Sequence, residues 1–175
     1  MTSIVLGKDN QWHEHETGLP LLNRNVDVIA WDLDSSMFNT SQRHWMIPEI
    51  RAKHKTWEDY SMACEYDEPF PAAVALCCMF APHARQVAIS GRKECALDLT
   101  WASVRRHGIP LDDIMLSPPR IAGDKFKVDG IRKLKKDGYL VRLFVEDDPR
   151  VAEVIREMTG VPVLVVNPCY PERAF

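Results

Sequence analysis

Short apolar runs alternate with amphipathic stretches along most of this chain, and that alternation restricts the folds it can adopt. The apolar runs span residues 26–31, 87–89, 140–145 and 161–166, with a shorter one at 114–116. The amphipathic stretches span residues 94–107, 126–136 and 149–158, and a glycine stands within two residues of each end. Buried parallel strands are short apolar runs, and glycine is a common helix terminator. The alternation therefore predicts a doubly wound parallel α/β sheet, with a ligand site at the carboxyl ends of its strands.

Size and charge fit one ordinary globular domain. The chain has 175 residues, 46% of them apolar and 27% charged, which is enough to bury a full core. Its formal net charge of −3 gives no overall reason to expect binding to nucleic acid or to an acidic membrane. That charge still leaves room for a local basic cleft.

The cysteines and the apolar segments indicate a cytoplasmic protein. Five cysteines are present, an odd number without Cys-x-x-Cys spacing, so we expect reduced core residues. No charged-then-apolar segment begins the sequence, and no apolar run approaches the ~20 residues that a membrane-spanning helix needs. We therefore expect neither secretion nor a membrane span.

Two aspartates follow the first apolar run directly. Asp32 and Asp34 stand in the segment Asp-Leu-Asp-Ser-Ser, immediately after Trp31. Residues two apart on an extended chain point the same way, so both carboxylates leave one strand end toward one site. Their repulsion is relieved by a divalent cation such as Mg²⁺ or by a shared proton, and either arrangement suits phosphoryl chemistry. The alternative interpretation is a plain turn after a strand.

Other strand ends carry further candidate groups. The second run ends in Ser90-Gly91-Arg92, where a hydroxyl and backbone amides at the opening of a helix suit a phosphate group. The run at 140–145 ends in Glu146-Asp147-Asp148, which adds carboxylates to the same sheet edge or forms a solvated turn. A lysine near the start of the preceding helix can reach this edge. Lys127 fits best because it lies one turn before the apolar face of that helix, and Lys125 and Lys133 are alternatives.

Two regions lie outside the alternation. Residues 1–24 form a polar arm, in which His13 and His15 with acidic neighbours allow a metal site, although a loosely packed arm is commoner. Residues 41–70 predict two short helices inserted after the first strand, a natural lid or substrate-selecting cap. The aromatic residues of this insert either stack on a base or form its own core, and they are Trp45, Trp57, Tyr60 and Tyr66.

The order of these motifs resembles the haloacid dehalogenase-like (HAD) phosphatase superfamily. That order is strand-Asp-x-Asp, strand-Ser, Lys and strand-Asp-Asp, over residues 26–168. Within the superfamily, the chain is similar to the 3′-phosphatase domains of phage polynucleotide kinases and to related small phage and actinobacterial hydrolases. Arg43, eleven residues after Asp32, and Arg92 match arginines of that subgroup. The resemblance implies a three-layer, Rossmannoid HAD-like domain over residues 25–175, with 41–70 as a small helical cap.

The resemblance also implies a role for each motif residue. Asp32 attacks phosphorus and becomes an aspartyl-phosphate, while Asp34 protonates the leaving oxygen and then activates water. We expect the anionic neighbour of Asp34 to raise its pKa, as an acid catalyst requires. Mg²⁺ is held by Asp32, the main-chain carbonyl of Asp34 and Asp147, with Asp148 or Glu146 in support. The residues implied to bind the phosphate or the substrate are Ser36, Arg43, Ser90, Gly91, Arg92 and Lys127.

The chain departs from the family pattern after its second aspartate. The family has Asp-x-Asp-Gly-Thr, whereas Ser35 and Ser36 follow Asp34 here, so Ser35 must adopt the turn of a glycine at some conformational cost. The substrate contacts have two interpretations. Arg43, His44 and Arg92 bind a second phosphate or a nucleotide, or they are structural, with Arg43 paired to an acid such as Asp67. The basic stretch 132–136 is typical of a solvated helix face.

The sequence therefore predicts a Mg²⁺-dependent phosphomonoesterase that acts on nucleotides or on the 3′ ends of polynucleotides. A phosphatase of nucleoside monophosphates or sugar phosphates would keep every catalytic residue and differ only in its cap. A non-catalytic phosphate-binding or nucleotide-binding module would keep the fold without turnover. A phosphotransferase would use the same residues with an acceptor other than water.

Overall fold

The protein is described here by a computed structural model, which covers residues 22–48 and 55–167 and the backbone of residues 2–6 and 12–16. The strands are β1 (Thr2–Leu6), β2 (Trp12–Glu16), β3 (Asp27–Trp31), β4 (Phe38–Asn39), β5 (Glu68–Pro69), β6 (Arg85–Lys93), β7 (Asp113–Ser117), β8 (Leu140–Glu146) and β9 (Val163–Val165). The α-helices are α1 (Trp57–Met62), α2 (Pro71–Phe80), α3 (Leu97–Arg106), α4 (Gly123–Lys136) and α5 (Pro149–Thr159). Short 3₁₀ helices cover Ser41–Met46, Ala63–Tyr66 and Glu94–Ala96.

Five parallel strands form the central sheet in the order β7-β6-β3-β8-β9. Strand β3 lies in the middle, and the chain adds β6 and β7 on one side before β8 and β9 on the other. Trp31, the last residue of β3, pairs with Ala88 and with Val145. The order of addition reverses between β3 and β8, and a crevice opens at the carboxyl ends of the strands at such a switch point. The predicted doubly wound parallel α/β sheet is confirmed.

Helices cover both faces of this sheet, which gives three layers. Successive strand side chains point to opposite faces, so Ile29 and Trp31 pack with α2 and α3. Val28 and Ala30 pack on the opposite face, with α4 and α5. The near-continuous burial of β3 follows from this double coverage, since all five of its residues are buried.

Helix α4 lies unusually close to the sheet. A Cβ atom on Gly130 would lie 2.8 Å from Cγ2 of Ile89 in β6, so only glycine fits between the helix and the strand. A second close approach joins the start of the same helix to β6, because a Cβ atom on Gly91 would lie 3.2 Å from Cα of Gly123. These two contacts bring α4 close to β6.

The helix termini follow the sequence signals. The side chain of Asp148 accepts a hydrogen bond from the backbone N–H of Arg150 and caps α5, with Pro149 in the first turn. Gly160 ends α5 in the left-handed conformation, with φ of 69°. The basic stretch after Ile131 is a solvated helix face as predicted, because Lys133 pairs with Asp137 at 2.6 Å on the surface.

The sequence prediction differs from the structure at three places. Strand β6 continues through Gly91 and Arg92 to Lys93, so no helix opens at Gly91; a 3₁₀ turn precedes α3. Helix α2 was not predicted. The predicted polar arm contains an antiparallel hairpin, in which Leu6 of β1 pairs with Trp12 of β2. The possible metal site at His13 and His15 lies outside the described side chains.

The 41–70 insert is small and mostly helical. Two 3₁₀ helices and α1 make up its described part, and antiparallel pairing of β4 with β5 closes its base. Tyr60 is buried, whereas Trp45 is 56% exposed and Tyr66 69% exposed. Of the two interpretations of the aromatic residues, the one in which they form the core of the insert is therefore wrong for Trp45 and Tyr66. Among the described helices, none combines the length and the apolar character that crossing a membrane requires.

Candidate active site

Asp32 directly follows the carboxyl end of β3, at the switch point of the sheet, and it is buried. Its backbone N–H donates to Val145 O at 2.8 Å, which joins the ends of β3 and β8. Its Oδ1 lies 3.2 Å from Lys127 Nζ but accepts no hydrogen bond from any residue that the structure describes. Burial raises the pKa of Asp32 to about 7, against the opposing effect of the nearby ammonium group of Lys127. The carboxylate is thus poorly solvated and faces one cation.

Lys127 is the lysine that the structure brings to this carboxylate. Its Nζ donates to Glu146 Oε2 at 2.7 Å, and Glu146 Oε1 accepts from the backbone N–H of Asp147 at 3.3 Å. Burial alone would lower the pKa of Lys127, but Asp32 and Glu146 outweigh burial and hold it above its usual range. The two alternative lysines lie on the surface, where Lys125 pairs with Asp129 and Lys133 with Asp137.

Three carboxylates meet beside Lys127. Asp32, Glu146 and Asp147 each offer one oxygen, and these oxygens lie within 4.8 Å of one another. Burial and the charge of Asp32 raise the pKa of Asp147 to about 6. Ser36 Oγ donates to Asp147 Oδ1 at 3.2 Å. Three anions opposite one cation leave surplus negative charge, and a hard divalent cation prefers such oxygen ligands.

The predicted supporting ligands separate in the structure. Glu146 lies in the acidic cluster, whereas Asp148 turns its Oδ1 to the backbone N–H of Arg150 at 2.9 Å. Asp148 thus serves the start of α5. The side chain of Asp34 also lies outside the acidic cluster. The resemblance implies only its main-chain carbonyl as a metal ligand.

Asp34 lies between two arginines. Arg43 Nη2 donates to Asp34 Oδ1 at 2.6 Å, and Arg92 contacts the same oxygen through Nε at 3.1 Å and through Nη2. Burial would raise the pKa of Asp34, but the two guanidinium groups outweigh burial and hold it well below its usual range. The expectation that the neighbouring anion raises the pKa of Asp34 is therefore wrong. The guanidinium groups of Arg43 and Arg92 contact Asp34 directly and have the larger effect.

The same arginines bind Asp67 of the insert, which is fully buried. Arg43 Nη2 lies 2.6 Å from Asp67 Oδ2, and Arg92 Nη2 lies 3.3 Å from that oxygen. Arg43 also donates to Tyr60 O at 3.0 Å, and its guanidinium carbon lies 4.1 Å from the centre of the Tyr60 ring. Two cations and two anions form a neutral cluster. The pair of Arg43 with Asp67, one of the two interpretations of Arg43, is present in the structure, while the contacts of both arginines with Asp34 were not predicted.

Ser90 and Gly91 lie beside the acidic cluster at the end of β6. Ser90 is buried, its Oγ accepts from the backbone N–H of Arg92 at 3.3 Å, and its hydroxyl lowers the pKa of Asp32 through a hydrogen bond. Gly91 does not open a helix; it contacts Gly123 at the start of α4. The start of α4, the helix that also carries Lys127, therefore lies against Gly91.

The turn after Asp34 has the conformation expected of a glycine. Ser35 has φ of 65°, which confirms the predicted conformational cost of a serine at this position. Ser35 Oγ lies 2.8 Å from Thr40 Oγ1, and Thr40 Oγ1 lies 3.0 Å from His44 Nε2. Asn167, which the sequence did not single out, donates to the backbone oxygen of Ser35 at 3.4 Å. His44 thus contacts Thr40, whose hydroxyl contacts the Ser35 side chain in the turn.

No protein-family model and no curated protein matches this chain. Solved structures of haloacid dehalogenase-like hydrolases do match, and the chain has the haloacid dehalogenase-like fold. A chain of the Pnkp1/Rnl/Hen1 RNA repair complex matches with a TM-score of 0.68 and 14% identity, over 90% of this chain and 50% of that one. The predicted resemblance is confirmed at the level of the fold.

Two further matches are an acid phosphatase and a hydrolase. The class C acid phosphatase of Bacillus anthracis with tungstate bound matches with a TM-score of 0.58 and 20% identity, over 87% of this chain and 70% of that one. A haloacid dehalogenase-like hydrolase of Streptococcus pneumoniae matches with a TM-score of 0.55 and 14% identity, over 80% and 84% of the two chains. By contrast, the present chain spans only about half the length of the matching chains from the RNA repair complex.

Proposed function

We propose that the chain is a Mg²⁺-dependent phosphomonoesterase with Asp32 as its nucleophile. The observation that carries this proposal is the environment of Asp32, a buried carboxylate with one oxygen free of hydrogen bonds from described residues and 3.2 Å from a buried lysine. A buried, poorly solvated carboxylate opposite a cation is suited to attack an electrophile. The acid phosphatase among the structural neighbours supports the same reaction class.

The acidic cluster fits a divalent cation. Asp32 and Asp147 would hold it, because Glu146 already accepts hydrogen bonds from Lys127 and from the backbone of Asp147. The resemblance adds the main-chain carbonyl of Asp34 as a further ligand. A bound Mg²⁺ supplies positive charge for the phosphoryl oxygens and removes the repulsion between carboxylates.

The remaining residues divide the reaction between them. An Asp32 oxygen would form a bond to phosphorus while the ester P–O bond breaks, which leaves an aspartyl-phosphate and releases the alcohol once its oxygen has taken up a proton. Lys127 and Ser90, which both lie beside Asp32, would bind the phosphoryl oxygens, whose charge dominates the transition state. Water then attacks phosphorus, inorganic phosphate departs and Asp32 is regenerated.

Asp34 is suited first to the water step. Ionised between Arg43 and Arg92, it is a carboxylate that can accept the proton of the attacking water. Protonation of the leaving oxygen by Asp34 requires a substrate that draws the guanidinium groups away from it. A phosphate or a second anionic group of the substrate has the charge to do so.

A nucleotide or the 3′ end of a polynucleotide is the substrate class we propose. Two observations support it: the match to chains of an RNA repair complex, and the ring of Trp57 in the insert, which is 38% exposed. Trp57 contacts the ring of Tyr60 edge-on at 5.5 Å, and Tyr60 in turn lies against Arg43. A small-molecule phosphatase is the second candidate, supported by the match to the class C acid phosphatase.

Phosphate release tests both candidates. The panel contains 3′-phosphorylated oligonucleotides, nucleoside monophosphates and sugar phosphates, each assayed with Mg²⁺ or with EDTA. We expect Mg²⁺-dependent release that Asp32→Asn abolishes and that Asp129→Asn, a surface control, leaves unchanged. The preferred panel member decides between the two substrate classes, and no release from any member contradicts the proposal.

A further inference from the structure

Lys93 is a buried lysine that the proposed chemistry does not use. It is the last residue of β6, directly after Arg92, and it is 7% exposed. Its Nζ donates to Ile121 O at 2.8 Å, to Ser117 Oγ at 3.3 Å and to Pro118 O at 3.4 Å. Within the described part of the chain, these partners are neutral oxygens, with no carboxylate among them. Lysine is almost never fully buried without a specific partner, so this placement needs a reason.

The oxygens around Lys93 come from Ser117, the last residue of β7, and from the turn that joins β7 to α4. Ser117 Oγ also donates to this turn, at 3.2 Å from both Pro118 O and Ile121 O. Arg120 lies in the left-handed region with φ of 64°, which a residue with a side chain rarely adopts. The carbonyl groups of the turn therefore point inward, and the ammonium group of Lys93 satisfies them.

This turn sets the start of α4. The first residue of the helix, Gly123, packs against Gly91, and no described side chain caps the helix N-terminus at Ala122. Lys127 follows one helical turn later and reaches Asp32 and Glu146. The position of the Lys127 ammonium group thus depends on how firmly the turn is held.

We propose that Lys93 is a positioning residue, whose ammonium group holds the turn at Pro118–Ile121 so that Lys127 meets Asp32. Its effect on turnover rests on the proposed phosphatase function, whereas its effect on the turn does not. The backbone N–H of Lys93 also donates to Ser61 Oγ in α1 at 2.9 Å, so the same residue joins the insert to β6. Lys93 therefore links three segments around the site.

The geometry offers a chemical-rescue test. Lys93→Ala removes the ammonium group and leaves three oxygens around a space, which ammonium or ethylammonium ions can occupy. Lys93→Met also removes the charge but fills the space with an apolar stem, so added amine has no room to bind. This variant serves as the matched control, and it keeps the test available where Lys93→Ala fails to fold.

Hydrogen exchange gives a readout that does not depend on activity. In Lys93→Ala we expect faster amide exchange confined to residues 118–127, and a return toward the wild-type rate when ethylammonium is added. Lys93→Met should show the same acceleration without the return. Unchanged exchange in both variants overturns the proposal, even if the wild-type protein proves to be a phosphatase.

Turnover gives the second readout. It compares the variants with the wild-type protein, once the wild type has been shown to release phosphate. A displacement of about 1 Å in a catalytic group costs on the order of 100-fold in rate, so we expect kcat of Lys93→Ala to fall by roughly 10- to 100-fold. KM should change less than about threefold, and ethylammonium should restore at least part of kcat. A loss of kcat without amine rescue in folded Lys93→Ala, or wild-type kcat in that variant, contradicts the proposal. A wild-type protein that releases no phosphate counts against the proposed function and leaves the exchange result to decide the role of Lys93.

Discussion

Asp34 and Asp67 are held together by the same two guanidinium groups, although one follows β3 and the other belongs to the 41–70 insert. Arg43 Nη2 lies 2.6 Å from an oxygen of each aspartate, and Arg92 Nη2 contacts both as well. The four charges cancel only while all four residues are present. The insert is thus joined to the candidate acid-base residue through buried ion pairs.

Asp67→Asn should destabilise the protein strongly. Removing one partner from a buried ion-pair network leaves an uncompensated charge, so we expect a loss of about 3 kcal/mol in the free energy of unfolding. Urea unfolding measures the loss. Asp137→Asn, which removes an exposed pair with Lys133, should change stability by about 0.5 kcal/mol or less. Equal losses in the free energy of unfolding for the two substitutions would show that the buried ion pairs contribute no more to stability than an exposed pair.

The metal-free protein should lose stability as the pH rises. Burial raises the pKa of Asp32 to about 7 and of Asp147 to about 6, so the folded state keeps protons that the unfolded state has released. This contribution is fully present below the ordinary carboxyl pKa near 3.8 and disappears as the pH rises through 6 and 7. Because one pKa unit corresponds to about 1.4 kcal/mol, we expect a loss of several kcal/mol in the free energy of unfolding between acidic and mildly alkaline pH in EDTA.

Thermal unfolding with and without Mg²⁺ measures that loss. Cation binding requires ionised carboxylates, so Mg²⁺ should raise Tm more at about pH 8 than at about pH 5. Asp32→Asn should remove most of this difference. A Tm in EDTA that does not fall with rising pH would argue against the raised pKa values.

Lys127→Met should reduce both stability and turnover. The change leaves Asp32 and Glu146 buried without their shared cation, and we expect a loss of about 3 kcal/mol at neutral pH. The loss should shrink at lower pH, where the carboxylates are protonated. Lys125→Met on the same helix, at an exposed position, is the control and should leave kcat unchanged. Comparable kcat values for the two variants would remove Lys127 from the site.

Ser35→Gly should be tolerated. Glycine adopts φ of 65° without steric strain, but it loses the contact of Ser35 Oγ with Thr40, so we expect a net change within about 1 kcal/mol. Ser35→Val places a β-branched side chain in the left-handed region and should cost about 2 kcal/mol. Chemical denaturation of both variants decides the matter, and a stable Ser35→Val protein contradicts the strained turn.

The strands of the central sheet were predictable because each carries a short apolar run, and in β3 helices on both faces of the sheet bury the whole run. Helix α2 was not, since almost all residues of Pro71–Phe80 are apolar and no helical period stands out. The end of β6 was missed for the opposite reason, because Ser90, Gly91 and Arg92 give no strand signal.

The candidate site divides in the same way. The sequence indicated Asp32, Lys127 and Asp147, since each stands at the end of a strand or the start of a helix whose place in the sheet was clear. It gave the wrong direction for the pKa of Asp34, because the two arginines beside it come from other segments. The charge state of that carboxylate depends on tertiary contacts that neighbouring residues in the chain do not reveal.

Gly130 contacts neither Asp32 nor the acidic cluster, yet it limits how far α4 lies from them. Ile89 occupies the space where its side chain would be, with Cγ2 2.8 Å from the position of a Cβ atom. Lys127 lies on the same helix and has a side chain of fixed length, so a helix held further from the sheet would withdraw its ammonium group from Asp32. Because Gly130 has no side chain, α4 packs close enough to β6 for the ammonium group of Lys127 to reach Asp32.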